Sequence, residues 1–321
     1  MDERRKKLEE TMKGFNKKTK DKMFDFADNS PDKEVIPFGI KELDDFLGGG
    51  VSLRKITVDY GAEDTGKSTR ALHLVGNAQK EGKLCCYIDM ENKFDKARAE
   101  QMGVKLDELA IMQGVTTAEA AMDAIITLAK EQAVDLIIVD SIQAMSPKGE
   151  QETKKGKLKS IEDDEMALLA RKLGKFFRVA GPQVFRGKVA VYMIGQIRMN
   201  IGGFFAFADL SGGAALKHYM SQCIYSRKGQ KSDAPVEKIK EYFEDPEGKQ
   251  RYKTVSKPVG FDCVLKMIKS HVSDSAKENE EIHVPFYYET GFKKLEENTK
   301  EESKPVKPKK PTPRPPKKDK K

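Results

Sequence analysis

The sequence predicts an α/β fold in which a mostly parallel central sheet is covered by helices on both faces. Three observations predict it. A β-branched run ending at Tyr60 is followed by GAEDTGKS (61–68) and then by a stretch without proline that reads as helix. Apolar runs and helical patterns alternate from there to about residue 194. The apolar runs are nearly continuous, as expected of strands buried on both faces.

Each element has a local reason. Residues 1–30 are highly charged, with sparse apolar positions at Leu8, Met12, Phe15, Met23, Phe24 and Phe26, and read as a helix that packs on something else, such as a neighbouring subunit. NSPD (29–32) marks a turn. IPFGIKELDDFL (36–47) gives a short strand and a helix stopped by Gly48, Gly49 and Gly50. Strands are expected at 55–60, 84–89, 110–113, 134–140 and 189–194, with helices at 69–80, 93–102, 118–131 and 165–180. Beyond residue 220 the pattern changes to strands at 222–226, 260–269 and 282–288. The polar, charged stretch 229–257 between them reads as a partly ordered insertion.

Charge is unevenly distributed along the 321 residues. The net charge of +8 resides in Lys304 to Lys321, which carry nine basic side chains and one acidic one, while the rest of the chain is balanced. That Lys/Pro-rich tail cannot build a core or a helix and is expected to be a disordered basic arm. Nucleic acid or an acidic partner would attract it, and a solubilising role is the plainer alternative. No apolar run approaches the roughly 20 residues that span a bilayer, and the charged N-terminus has no signal-peptide pattern. Cys85, Cys86, Cys223 and Cys263 form no C-x-x-C pair, so they read as core thiols in a reducing cytoplasm rather than zinc ligands.

The G-x-x-x-x-G-K-[ST] pattern assigns chemistry by position. Gly61 and Gly66 allow a loop whose backbone N–H groups, across Ala62, Glu63, Asp64 and Thr65, point at phosphate oxygens. Lys67 offers an ammonium to the β- and γ-phosphates, and Ser68 a hydroxyl to Mg²⁺. The helix beginning near Thr69 turns its positive end to the same anion. Asp140 ends a hydrophobic strand, where a second carboxylate for Mg²⁺ is expected. Glu91 follows another strand and could orient an attacking water or cap a helix. Gln196 follows Gly195 at the end of a strand and could bond a γ-phosphate. It leads into IRMNIGGFFAFADLSGG (197–213), a glycine-rich aromatic segment suited either to single-stranded nucleic acid or to burial under a domain. Lys148–Asp164 is a second candidate loop, and Arg171, Lys175 and Arg178 share one face of the following helix.

Taken together, GAEDTGKST (61–69), YIDME (87–91), VDLIIVDS (134–141), GQIRMNIG (195–202) and GGAALKHY (212–219) resemble the RecA family of homologous-recombination ATPases, most nearly a bacteriophage-type member. The resemblance runs from about Ile36 to Tyr288 and implies a RecA-type phosphate-loop core at 34–295, an N-terminal oligomerisation segment at 1–33 and a disordered tail at 296–321. It implies that Glu91 activates water and that Gln196 senses the γ-phosphate. Asp95 and Arg98 fall where the family contacts adenine, and Lys269 and His271 where it reaches a neighbouring subunit's ATP. Lys148–Asp164 and Met199–Ser211 match two DNA-binding loops, the second containing Phe205. Arg171, Arg178, Arg198, Gly212 and Gly213 match positions on the DNA backbone.

The chain also departs from the family pattern. His271 stands for a lysine, His218 for an aromatic, Arg98 for a stacking tyrosine and Gly195 for an asparagine. A basic arm stands where the family has a further domain and an acidic tail. The expected function is an ATP- and Mg²⁺-dependent strand-exchange recombinase in the cytoplasm. It would form filaments on single-stranded DNA, pair it with homologous duplex DNA, and work with a single-strand-binding or loader protein, away from membranes. A hexameric helicase or translocase on the same core, and an ATP-gated single-strand-binding mediator, remain alternatives at this level.

Overall fold

The computed structural model describes residues 2–20, 23–29, 33–151, 168–198, 209–210, 219–244, 250–271 and 278–292. The expected loop positions Phe205, Gly212 and Gly213, together with His218, residues 152–164 and the tail from 296, lie outside the described residues.

The chain opens with α1 (Asp2–Thr19), then β1 (Val35–Ile36), α2 (Lys41–Leu47), β2 (Val51–Ser52), β3 (Ile56–Gly61) and α3 (Lys67–Lys80). β4 (Cys85–Asp89), α4 (Lys96–Gln101), β5 (Leu109–Met112), α5 (Ala118–Lys130) and β6 (Leu136–Asp140) continue the alternation. Next come α6 (Lys148–Gln151), α7 (Leu168–Gly187), β7 (Ala190–Arg198) and β8 (Asp209–Leu210). The last strands are β9 (Gln222–Lys228), β10 (Val236–Glu244), β11 (Gln250–Pro258), β12 (Gly260–Ser270) and β13 (Glu281–Tyr287).

The main sheet has the order β13-β12-β9-β3-β7-β6-β4-β5, with β8 on β7. From β9 to β5 the strands are parallel, β12 adds antiparallel to β9, and β13 adds antiparallel to β12. Alternation along β6 shows why both faces need cover. Leu136 and Ile138 pack with α2, α3 and α4 on one face. Ile137 and Val139 pack with α5 and α7 on the other.

Several boundaries differ from expectation for local reasons. α4 starts at Lys96 rather than Lys93 because Asp95 caps it, accepting the Arg98 N–H at 3.0 Å. α7 runs past Gly181 and Pro182 to Gly187, because its apolar row continues through Phe177, Ala180 and Val184 while Pro182 lies exposed. The stretch 229–257, expected as a partly ordered insertion, has regular structure through most of its described residues. Most of it is a long antiparallel ribbon, β10 with β11, in register from Val236↔Pro258 to Glu244↔Gln250. Both faces of a ribbon this polar carry hydrophilic residues, so no clean period-2 apolar signal betrays it. The four cysteines are buried and unpaired with one another. Burial pushes the Cys85 thiol up to about 12 and the Cys86 thiol to about 11, consistent with core thiols.

One polar cluster interrupts this core. Asp59 in β3 and Arg70 in α3 form an ion pair at 2.7 Å with both side chains fully buried. Tyr192 Oη and Ser226 Oγ each donate to Asp59 at 2.6 Å. Arg70 also donates to Ser226 Oγ at 2.6 Å and to the Thr65 carbonyl at 3.0 Å. Burial works against the Arg70 charge, but Asp59 outweighs it and holds the guanidinium above its ordinary pKa.

Removing only one partner of such a pair leaves an uncompensated buried charge. Arg70→Met is therefore expected to lower the unfolding free energy by about 3–5 kcal/mol, with Asp59→Leu/Arg70→Leu recovering much of that loss. Urea unfolding of the three proteins tests this, and equal destabilisation in the single and double variants would refute it.

Candidate nucleotide site and nucleic-acid face

The site forms where the parallel strands end. Register places Gly61 beside Gln196 and Asp89 beside Asp140, so the carboxyl ends of β3, β7, β4 and β6 share one edge. A cavity of about 650 Å³ opens there, lined by the loop 63–69 and by Glu91, Asp95, Arg98, Asp140 and Gln196. The structure thus brings together the residues that the motif and the strand ends had suggested separately.

The loop conformation depends on its two fixed glycines in different ways. A Cβ on Gly61 would lie 2.0 Å from the Ser226 carbonyl oxygen, so close strand approach excludes a side chain. Gly66 has φ +78° and begins α3, and a Cβ there would meet the Phe286 and Phe292 rings at 3.0 Å. Ala62, Glu63, Asp64 and Ser68 are exposed at the mouth, and Thr65 is buried. The Thr65 hydroxyl donates to the Ala62 carbonyl at 3.0 Å. Lys67 Nζ donates to the Ala62 carbonyl, to the Gly61 carbonyl at 3.2 Å and to Thr65 Oγ1 at 3.2 Å. Burial lowers the Lys67 pKa, partly offset by Asp59 and Asp140.

Three acidic side chains, Asp89, Glu91 and Asp140, crowd the same edge. Burial raises the Asp140 carboxyl above the usual range. Hydrogen bonds from Tyr87 and Ser68 pull it down, and Glu91 and Asp89 push it up. The Tyr87 hydroxyl donates to Asp140 Oδ2 at 2.6 Å. A hydroxyl and a carboxylate are the hard oxygen donors that suit Mg²⁺, and a cation beside crowded carboxylates is favoured. Ser68 and Asp140 therefore fit that ion. Asp89 is occupied elsewhere, accepting from the Phe94 N–H and from Gln113 Nε2, each at 2.9 Å.

Glu91 is positioned by three donors. Ser141 Oγ reaches it at 2.6 Å, Lys93 Nζ at 2.9 Å and Gln196 Nε2 at 3.4 Å. Burial opposes its charge, but Ser141 and Lys93 outweigh burial and hold the carboxyl below its ordinary range. Gln196 is itself clamped. The Gln143 side chain accepts its backbone N–H at 2.7 Å and donates to its carbonyl at 2.9 Å.

At the far side of the cavity, Arg98 is held rather than free to stack. Its Nη1 donates to the Tyr288 carbonyl at 3.1 Å and the Glu289 carbonyl at 2.7 Å. The exposed ring of Tyr288 lines the cavity beside it. Lys269 and His271 are not at this cavity. Lys269 pairs with Cys223, and the His271 N–H donates to Ser221, near the amino-terminal end of β3. They lie at the edge of the sheet opposite to the carboxyl ends of the parallel strands. Arg171, Lys175 and Arg178 are exposed on α7, away from its buried row. Arg198 is the last residue of β7, where its backbone pairs with Asp209.

Sequence reading missed Gln143, Tyr87, Tyr288 and the Asp59–Arg70 pair. The pair had a signal, since two charges sit in segments that are otherwise apolar. Gln143 and Tyr288 had none, because each acts through a contact distant in the chain.

This arrangement defines a phosphate-loop α/β nucleotide-binding protein. The chain matches the RecA N-terminal domain family over residues 6–283 and belongs to the RecA family. A "Protein RecA" from Paramagnetospirillum magneticum is 39% identical over 196 residues, 60% of this chain and 53% of the relative. Those from Colwellia psychrerythraea and Rickettsia africae are 38% and 39% identical over 192 and 199 residues, covering 59% and 61% of this chain and 54% and 56% of theirs. The chain thus spans about half the length of the curated relatives it matches.

Tyr87→Phe removes a hydrogen bond that favours ionised Asp140, so the Asp140 pKa is expected to rise further. Affinity for a Mg²⁺-nucleotide is then kept at high pH and lost as pH falls through that raised value. A fluorescent nucleotide titrated from about pH 5 to pH 8 should show the loss at higher pH in the variant than in the parent. Superimposed curves would contradict the assignment of Asp140.

Proposed function

We propose that the protein is an ATP-dependent recombinase that assembles on single-stranded DNA, hydrolyses ATP and pairs the bound strand with homologous duplex. The observation that carries this reading is the contact chain Glu91–Gln196–Gln143 at the edge of the phosphate loop. It joins the residue suited to activate water to the strand that leads directly into Met199–Ser211, the expected second DNA loop. Loss of a γ-phosphate bonded by Gln196 would change what that amide holds, and β7 would pass the change to the loop.

In this reading Lys67 binds the β- and γ-phosphates, and the loop N–H groups and α3 hold the remaining oxygens. Ser68 and Asp140 would hold Mg²⁺, which when bound neutralises developing phosphate charge. Glu91, ionised and fixed by Ser141 and Lys93, accepts a proton from the attacking water. Asp95 and Arg98 flank the base, with Tyr288 offering a ring. Lys269 and His271 reach across to the next subunit's triphosphate. α1 displays Leu8 at 50% and Phe15 at 42% exposure, apolar surface suited to an adjacent protomer in a filament. The family resemblance supports a cytoplasmic protein acting on DNA.

Lys67→Ala is expected to abolish ATP binding. Glu91→Gln should bind ATP normally but hydrolyse it about 10²–10⁴-fold more slowly on single-stranded DNA. Negative-stain microscopy with DNA and a slowly hydrolysed ATP analogue should show continuous helical fibres. Closed rings would favour a hexameric translocase, and full turnover in Glu91→Gln would remove the assigned base.

A further inference from the structure

Among the described residues, the basic side chains lining the nucleotide cavity are Lys67, Lys93, Arg98 and Lys228. Lys67 is buried in the phosphate loop, bonded to the Gly61 and Ala62 carbonyls. Arg98 is held by the carbonyls of Tyr288 and Glu289. Lys228 Nζ lies 5.1 Å from the centroid of the Phe261 ring. Lys93 stands instead beside the residue suited to activate water. Its side chain is 79% exposed, and Nζ donates to Glu91 Oε2 at 2.9 Å.

The backbone under Lys93 is anchored. The Lys93 and Phe94 N–H groups donate to Asp89 at 3.2 and 2.9 Å. Asn92 has φ +54°, a conformation asparagine tolerates, and its side chain accepts the Gly114 N–H at 2.7 Å. From this fixed base a flexible stem carries an ammonium with three donors, of which the bond to Glu91 uses one.

The electrostatics explain why a cation is useful here. Asp89, Glu91 and Asp140 share this edge, and the charges of Glu63 and Asp140 also act on Lys93. A triphosphate brings more negative charge to the same place. A carboxylate beside the terminal phosphate repels it, and an ammonium shared by the two relieves that repulsion. The hydrogen bond to Glu91 and the charge of Glu91 raise the Lys93 pKa, so the ammonium keeps its proton at neutral pH.

We infer that Lys93 is a γ-phosphate ligand supplied by the chain's own site, its ammonium bridging Glu91 and the terminal phosphate of a bound triphosphate. A diphosphate lacks the group that Lys93 holds, so the bridge discriminates between the two nucleotides. Charge developing on the phosphoryl oxygens during transfer strengthens it. The inference rests on the nucleotide site of the proposed function but needs neither DNA nor a second subunit. A lysine that only orients Glu91 would give no such discrimination.

Affinities are best measured in the Glu91→Gln chain, where ATP is consumed slowly. There Lys93→Met, which removes the charge and keeps the stem, should weaken ATP binding about tenfold or more and ADP binding less than about twofold, the scale of one hydrogen bond to a charged group. Lys93→Arg should keep most of the preference for ATP. With Glu91 in place, Lys93→Met should lower kcat for ATP hydrolysis as well as raise KM. A footprint on the unaltered protein needs no variant. Acylation of Lys93 by acetic anhydride, read by mass spectrometry, should be slowed more by a slowly hydrolysed ATP analogue than by ADP.

Equal losses for ATP and ADP in Lys93→Met would overturn the inference, because they mark a general attraction for anions. So would a fall in kcat with the ratio of ATP to ADP affinity unchanged, which marks orientation of Glu91 alone. Equal protection of Lys93 by both nucleotides would overturn it as well. Lys67→Ala tests the underlying site separately. Intact nucleotide affinity in that variant sinks the phosphate-loop assignment, whereas its loss, with an unchanged ratio in Lys93→Met, sinks only the role of Lys93.

Discussion

Arg70 and Asp59 form a fully buried ion pair directly behind the phosphate loop, and much of the site's geometry rests on it. The pair ties α3 to β3, draws in β7 through Tyr192 and β9 through Ser226, and fixes the loop by the bond to the Thr65 carbonyl. A buried charge is tolerated only when its hydrogen bonds are met, and here both partners are richly supplied. The cluster also restrains motion. A loop that must present its N–H groups to an anion gains from being built in that shape before the anion arrives.

The same logic of fixed supports continues along the strand ends. Asp140 and Gln196 sit on the adjacent strands β6 and β7, Glu91 lies just past the end of β4, and the three are held by Tyr87, Gln143 and Ser141. Gln143 is notable because it grips the backbone of Gln196 rather than its side chain. The amide of Gln196 is left to respond to its surroundings while the strand beneath it stays in register. Lys269 and His271 lie at the far edge of the sheet from the phosphate loop.

Positive charge is distributed in pieces with different reach. Lys304 to Lys321 carry nine basic side chains and one acidic one, and the field of such charge falls off within about 10 Å at moderate salt. α7 offers Arg171, Lys175 and Arg178 on a fixed helical face. The β10–β11 ribbon carries Lys238 and Lys240 beside the exposed rings of Tyr242 and Tyr252.

Much of the fold and the centre of the site were legible in the chain. The alternation of apolar strands with helices follows from burying both faces of a parallel sheet, and the glycine-lysine-serine loop is chemically specific. Asp140, Glu91 and Gln196 were visible because strand ends in such sheets gather at one edge. Illegible were the β10–β11 ribbon, whose exposed faces leave no periodic trace, and the course of α7 through Pro182, where packing of Val184 outweighs a helix breaker. Gln143, Tyr288 and the supports of Arg98 were equally hidden, since hydrogen bonds between residues tens of positions apart leave no local pattern. Local chemistry and periodicity are written into neighbouring residues, whereas the partners that aim each functional group exist only after the chain has brought distant segments within a few ångströms.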